Sequence, residues 1–340
     1  MNIHEINSET SYINDPIAAN MAAGDVDSLI EKYRLSPRRR HRFCFHQNPS
    51  VDLHDIIICY DNTSYIPPNK HIGKVESLLV LSGTLDFYLF NDSGQLYDYR
   101  RLSAPSSGRP FYIRVPPNTW HGLRAVGNQP CVIKETISGP YDRNSLLWAG
   151  FAPKEEEGAD AGFSWYDKVE AIRVSQGIDL PEDETFERVN DTVFRSSRQL
   201  VTVTLNQLEP IIKAARSSEL KRARLCCHWG PEDKLQEMFI ALAYGVNIDE
   251  SMHIRKDESL TVISGQGRYV FPNEDGSERA VYPLGPYGSS CGKEERFYSR
   301  INRYLPHRIH IDSDSMLIHE ATTGPFLKAD TDYRIQALKS

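Results

Sequence analysis

The chain has 340 residues, of which 40% are apolar and 25% charged, ordinary usage for a globular protein and a length that suits two domains of roughly 150 residues. With 39 Lys and Arg against 46 Asp and Glu the net charge is −7, which argues against a general nucleic-acid binder. No apolar run approaches the roughly 18 residues of a membrane span, and the polar, acidic N-terminus MNIHEINSETSYINDP lacks a signal-peptide core, so a cytoplasmic location is expected.

In chain order, the first periodic segment is DSLIEKYRLS, a short helix, followed by the only basic cluster, SPRRRHR at Ser36 to Arg42. That cluster reads as a solvated strand edge or subunit contact, with an anion-binding patch as the alternative. Next come RFCFH, DIIICY, ESLLVLSG, LDFYLFND, FYIRVPP and CVIKETI. These are short, rich in β-branched and aromatic residues, and separated by Gly, Pro, Asn and Asp, as strands are. Residues 154–205 begin with KEEEGADAG and read as a connection, with a helical part around Tyr166 to Val174 and no chemistry of its own. A second helix, LEPIIKAARSS, opens another series of strands. Cys44, Cys59, Cys131, Cys226, Cys227 and Cys291 form no C-x-x-C pair and read as reduced, small hydrophobes.

The two series are copies of each other. At an offset of 182, Ser36 meets Ser218, Arg40 meets Arg222, Arg42 meets Arg224, Cys44 meets Cys226 and His46 meets His228. At the same offset His71 meets His253, Glu76 meets Glu258 and Gly83 meets Gly265, while NDSG and NEDG fall together as hairpin turns. The offset then widens to 189, setting His121 against His310, with a loop insertion around YGSSCGKEE. It settles at 185, where IKETISGPY at Ile133 to Tyr141 matches IHEATTGPF at Ile318 to Phe326. Many short, evenly spaced strands in duplicate predict an all-β chain of two tandem jelly-roll barrels, each opened by a short helix. The expected domains are residues 1–153, a connecting segment 154–205, and residues 206–340.

The residues able to do chemistry lie in PPNKHIGKVESLLVLSG and VPPNTWHG, where His71, Glu76 and His121 can face one point inside a barrel. Imidazole and carboxylate together suit a divalent transition metal, and three protein ligands leave positions open. These segments resemble the two cupin motifs. More narrowly, R-x-C-x-H at Arg42 to His46, the proline-containing first motif, PPNTWH and the closing SGPY resemble the WbuC-type cupin metalloproteins, over about Leu29 to Phe151 and Ile211 to Tyr333. The resemblance implies a bicupin whose metal (Zn, Fe, Mn or Ni) is held by His71, Glu76 and His121. Asn69 stands where the family's first histidine would be. In the second copy the carried-over ligands are His253, Glu258 and His310, with Ser251 at the first position and His307 and His319 as substitutes.

His54 is the best candidate for a general base. His46 and His228 read as structural, and Tyr65, Tyr88, Tyr112 and Trp120 as core or a sugar-binding wall. The resemblance links the chain to surface-polysaccharide (O-antigen or capsule) biosynthesis, so the first expectation is a metal-dependent isomerase or epimerase acting on a carbohydrate-type small molecule. A non-haem iron dioxygenase and a non-catalytic sugar-binding bicupin are the alternatives. No membrane or nucleic-acid partner is expected. The fused barrels mimic the homodimer of single-domain cupins, and a homodimer of whole chains stays open.

Overall fold

The structure is a computed structural model describing residues 1–15, 17–181, 184–246, 248, 250–273, 275–288 and 292–332. Cys291 and part of YGSSCGKEE lie outside the described residues.

The first copy folds into an eight-stranded sheet facing a five-stranded sheet. In the larger sheet Leu53–Tyr60, Cys131–Ser138, Glu76–Ser82 and Tyr112–Val115 are consecutive antiparallel neighbours. The smaller contains Asn69–His71, Trp120–Val126 and Thr84–Phe90. Side chains alternate across each strand. Ile133, Glu135 and Ile137 therefore face inward, while Lys134 and Thr136 face the other barrel. The second copy repeats this with Leu235–Ala243, Ser315–Thr323, Glu258–Ser264 and Arg296–Ile301. Gly83 and Gly265, at φ 82° in both copies, close the turn after each Glu-bearing strand, and a Cβ at Gly83 would lie 2.8 Å from the Cys131 Cα. Only glycine holds that conformation without strain.

Each copy lends a strand to the other. Ala19–Ala22 pairs with Arg296–Ile301 of the second barrel, and Val201–Val203 pairs with Tyr112–Val115 of the first. Strand pairing thus crosses the boundaries drawn from the sequence. Within 154–205, helix α2 (Ala159–Gln176) covers the first barrel, packing Tyr166 and Val169 on Tyr65, Tyr88 and Phe90. The neighbouring Val193–Arg195 joins the second barrel's sheet in parallel with Arg222–Cys226.

The barrels pack back to back through one shared apolar core. Helix α1 (Val26–Leu35) contributes Leu29 and Tyr33, helix α3 (Leu205–Ser217) contributes Leu208 and Ile211, and Phe43, Phe45 and Phe239 come from the sheets. Helix α3 begins on a capping box in which the Thr204 hydroxyl accepts from Gln207 N at 3.3 Å and Gln207 Oε1 accepts from Thr204 N at 2.7 Å. Through this core run two pseudo-symmetric ion pairs. Arg300 donates to Asp55 at 3.0 Å, and Arg114 donates to Glu237. All four side chains are essentially inaccessible. Lys134 Nζ adds a contact to Asp55 at 3.2 Å. Although burial pushes both acids up, Lys134 and Arg300 hold Asp55 down, and His319 and Arg114 hold Glu237 at about 2. The five described cysteines are free and buried, and burial raises their thiols, Cys44 to about 12.

Candidate metal centre

In the first barrel the structure brings together His71, Glu76 and His121. Glu76 begins an inward-facing row, and its Oε2 lies 3.5 Å from His71 Nε2 and 3.1 Å from His121 Nε2. His121 Nδ1 lies 3.0 Å from the Thr119 carbonyl. A proton on Nδ1 satisfies that acceptor and leaves the Nε2 lone pair facing Glu76, the tautomer a metal requires. Asn69 is opposite His121 in strand register, and its Oδ1 is buried with no hydrogen-bond partner among the described residues. Burial raises Glu76, but His121 and His71 beside it hold it down at about 2. Burial lowers His121, and Glu76 more than reverses this.

The second barrel holds a counterpart, with a different last ligand. One donor atom from each of His253, Glu258 and His307 lies within 4.8 Å of the other two. His253 Nε2 is 2.7 Å from Glu258 Oε2. His307 Nδ1 lies 2.9 Å from the Leu305 carbonyl, repeating the His121 arrangement. Burial raises Glu258, but His253 first and His307 second hold it down.

His310 is corrected by this geometry: it is exposed, pairs with Arg268 on an outer position, and is not part of the cluster. Ile309 is in the barrel core, and strand alternation turns His310 the other way. The true offset is 186. Asn118 and Tyr304 both have left-handed backbone, at φ 63° and 64°, and each donates its N–H to the carbonyl of the first-motif histidine, Asn118 to His71 at 2.9 Å and Tyr304 to His253 at 2.7 Å. The last histidine follows three residues after each, and Ser251 bridges His307 as Asn69 bridges His121.

Other candidates fall away from the clusters. His54 shares an inward row with Glu76, but Ile137 stands between them, a backbone separation of roughly 10 Å. Its Nε2 bonds the Val51 carbonyl at 3.0 Å and its ring stacks on His46 at 4.2 Å, so it braces a turn instead of reaching the site. His319 faces the inter-barrel core beside Tyr112 and Phe239. Of the aromatic candidates, Tyr112 is in that shared core, while Tyr65 and Tyr88, with Trp120 against them, pack under α2.

Sequence reasoning missed a second carboxylate in each barrel. Glu135 and Glu320 face inward one residue row from Glu76 and Glu258. Burial first, and the neighbouring ligand carboxylate second, raise Glu135 to about 7 and Glu320 to about 8. Their signal was present in the matched IKETISGPY and IHEATTGPF, where the glutamates coincide. The two interiors differ at one equivalent position. Tyr60 belongs to the cluster filling the first interior, whereas Leu242 holds that place in the second. There a cavity of about 430 Å³ reaches His253, Glu258 and His307, with Leu242, Ile240 and Ile318 among its walls.

The family described as Domain of unknown function (DUF6016) matches residues 21–102 and 203–283, once in each copy. No curated protein matches the chain. Among solved structures, a point variant of salicylate 1,2-dioxygenase from Pseudoaminobacter salicylatoxidans is 12% identical, with 98% of this chain and 90% of that chain covered at a TM-score of 0.54. The same variant in complex with gentisate is 11% identical, covering 98% and 88% at 0.55. A point variant of Bacillus subtilis oxalate decarboxylase is 13% identical over 88% and 76%, at 0.47. With the duplicated barrels described above, the likeness to the dioxygenase establishes the fold: the chain is a bicupin, two tandem cupin jelly rolls joined back to back.

Proposed function

We propose that the chain is a metal-dependent enzyme whose working site is the second barrel, where His253, Glu258 and His307 hold a divalent transition metal ion. One observation carries this reading: two imidazole nitrogens and a carboxylate oxygen converge within 4.8 Å at the wall of a cavity of about 430 Å³, a volume suited to a small-molecule substrate. Two histidines and one carboxylate form the ligand set of non-haem iron oxygenases, which makes an oxygenase the favoured reaction class. The name of the fold neighbour, a variant of salicylate 1,2-dioxygenase, belongs to the same class. When bound, the metal supplies Lewis-acid and redox chemistry at its open positions.

The chain's own residues do the rest. The Leu305 carbonyl, bonded to His307 Nδ1, keeps His307 Nε2 turned to the site. Leu242, Ile240 and Ile318 give part of the wall an apolar face for a substrate body. Glu320 is a second carboxylate on the same inner face, suited to holding or accepting a substrate proton. In the first barrel Asn69, His71, Glu76 and His121 form a second metal set around the buried, unpartnered Asn69 Oδ1. Tyr60, packed in that interior where the second barrel has Leu242, favours a supporting role for that set.

The recurrence of the extra carboxylate as Glu135 and Glu320 favours a second reading, a metal-dependent isomerase or epimerase moving a proton on a carbohydrate-type substrate of surface-polysaccharide synthesis. Elemental analysis followed by oxygen uptake on the ferrous-loaded protein with salicylate and gentisate tests the first reading. Solvent-deuterium exchange into sugar phosphates tests the second. A chain that takes up no metal after reconstitution sinks both.

A further inference from the structure

The cavity of the second barrel carries cations for which the metal ligands have no need. Arg222, Arg224 and Lys256 all line it. Lys256 is only 5% exposed, and its Nζ rests 4.5 Å from the centre of the Phe326 ring. Among the described residues none of the three has a carboxylate partner at ion-pair distance.

The first copy uses the same positions differently. Arg40, the counterpart of Arg222, is held by Glu155 at 2.7 Å and Glu9 at 3.3 Å. Lys74, the counterpart of Lys256, donates to the Pro140 carbonyl. Arg40 and Lys74 serve the structure of the first barrel, whereas Arg222 and Lys256 face the cavity of the second.

Strand register fixes how these cations stand relative to the metal ligands. On the inner face Arg224, Ile240 and Ile318 lie in one row. Met238, Glu320 and Leu260 form the next row, and Gln236, Thr322 and Glu258 the one after. Arg224 and Glu258 are therefore three strands and two rows apart, roughly 20 Å between backbones, with Ile240, Ile318, Met238 and Leu260 and the single carboxylate Glu320 on the floor between them.

We propose that this cavity takes a small organic carboxylate with an apolar body. The carboxylate is held by Arg222 and Arg224, and the body lies over Ile240 and Ile318 toward the His253 cluster, near which Lys256 stands. Guanidinium groups bind carboxylates by paired, charge-assisted hydrogen bonds, and the apolar floor favours a ring or alkyl body over a polyhydroxylated sugar. This proposal rests on the second barrel being the working site and names its substrate class.

The test uses the full-length chain, metal-loaded and chelated, in calorimetric titrations with acetate, oxalate, benzoate and salicylate, and with benzamide and glucose 1-phosphate as neutral-amide and sugar-phosphate comparisons. Benzoate or salicylate should bind, with benzamide at least tenfold weaker. The double variant Arg222→Gln/Arg224→Gln should weaken carboxylate binding at least tenfold, and Arg222→Lys/Arg224→Lys should recover most of it. Arg42→Gln, the first-copy counterpart of the Arg224 change, should bind as the parent does. Both arginines are exposed on their strand, so folding is retained and is checked by thermal melting. Equal binding of benzamide, binding unaltered in the double Gln variant, preference for glucose 1-phosphate, or no carboxylate binding at all would each overturn the proposal. Metal content is read on the same samples. Carboxylate binding by a chain that takes up no metal supports the anion site while removing the metal reading. Metal uptake with no carboxylate selectivity does the reverse.

Discussion

Exchanging the last ligand of the second barrel separates the spatial assignment from the one drawn by sequence offset. In a His71→Ala background, which confines metal binding to the second barrel, His307→Ala is compared with His310→Ala. A ligand that binds only the folded state at 100 times its Kd stabilises by about 2.7 kcal/mol. Unfolding entropy is about 2.1 cal/mol/K per residue. For 340 residues that gives about 0.7 kcal/mol/K, so saturating metal should raise Tm by about 4 °C. His307 is 6% exposed and its donor atom converges with those of His253 and Glu258, so His307→Ala should abolish the metal-dependent rise. His310 is exposed, so His310→Ala should keep it and alter the metal-free Tm little, surface changes being usually within about 0.5 kcal/mol. Melting curves with and without added Mn, Zn or ferrous ion, each paired with elemental analysis, supply the measurement. A rise lost in His310→Ala and retained in His307→Ala would refute the geometry.

Other consequences follow from the same structure. Arg300→Met leaves Asp55, which is 0% exposed, with Lys134 as its remaining cation and should cost about 3–5 kcal/mol in urea unfolding; a loss below about 1 kcal/mol would show that the inter-barrel pair contributes little. Glu320 titrates at about 8 in the folded chain against an ordinary 4.5, so the folded state keeps a proton that the unfolded state has released. Metal-free protein should therefore lose stability as pH rises from about 4.5 to about 8 and level off above that, and Glu320→Gln should flatten this part of the Tm profile. Leu242→Tyr imports the side chain that fills the first barrel; it should abolish carboxylate binding while metal uptake persists, and unchanged calorimetric affinity would contradict the cavity assignment. Glu258→Gln removes the negative ligand between His253 and His307 and should eliminate metal from the second barrel, as read by elemental analysis in the His71→Ala background.

The duplication, the all-β architecture and the meeting of His71, Glu76 and His121 inside one barrel were legible in the chain itself. They are written in local terms: strand-length apolar runs, Gly and Pro punctuation, and a histidine and glutamate at one spacing repeated 182 residues later, His71 with His253 and Glu76 with Glu258. The last histidine of the second cluster was not. An insertion blurs the offset near His307 and His310, and the choice between them is made by a left-handed turn at Tyr304 and by which face of a strand each residue occupies. Nor could the sequence tell that Ala19–Ala22 and Val201–Val203 cross to the opposite barrel, because pairing partners lie more than 80 residues away. Glu135 and Glu320 were visible only as identities within a repeat; their inward aim comes from register with the ligand strand. The difference between a filled and an open barrel, Tyr60 against Leu242, is a matter of side-chain volume at a point where several strands converge. Spacing along the chain carries the ligand chemistry, while the side of the sheet, the partner strand and the space left inside exist only once the two barrels close.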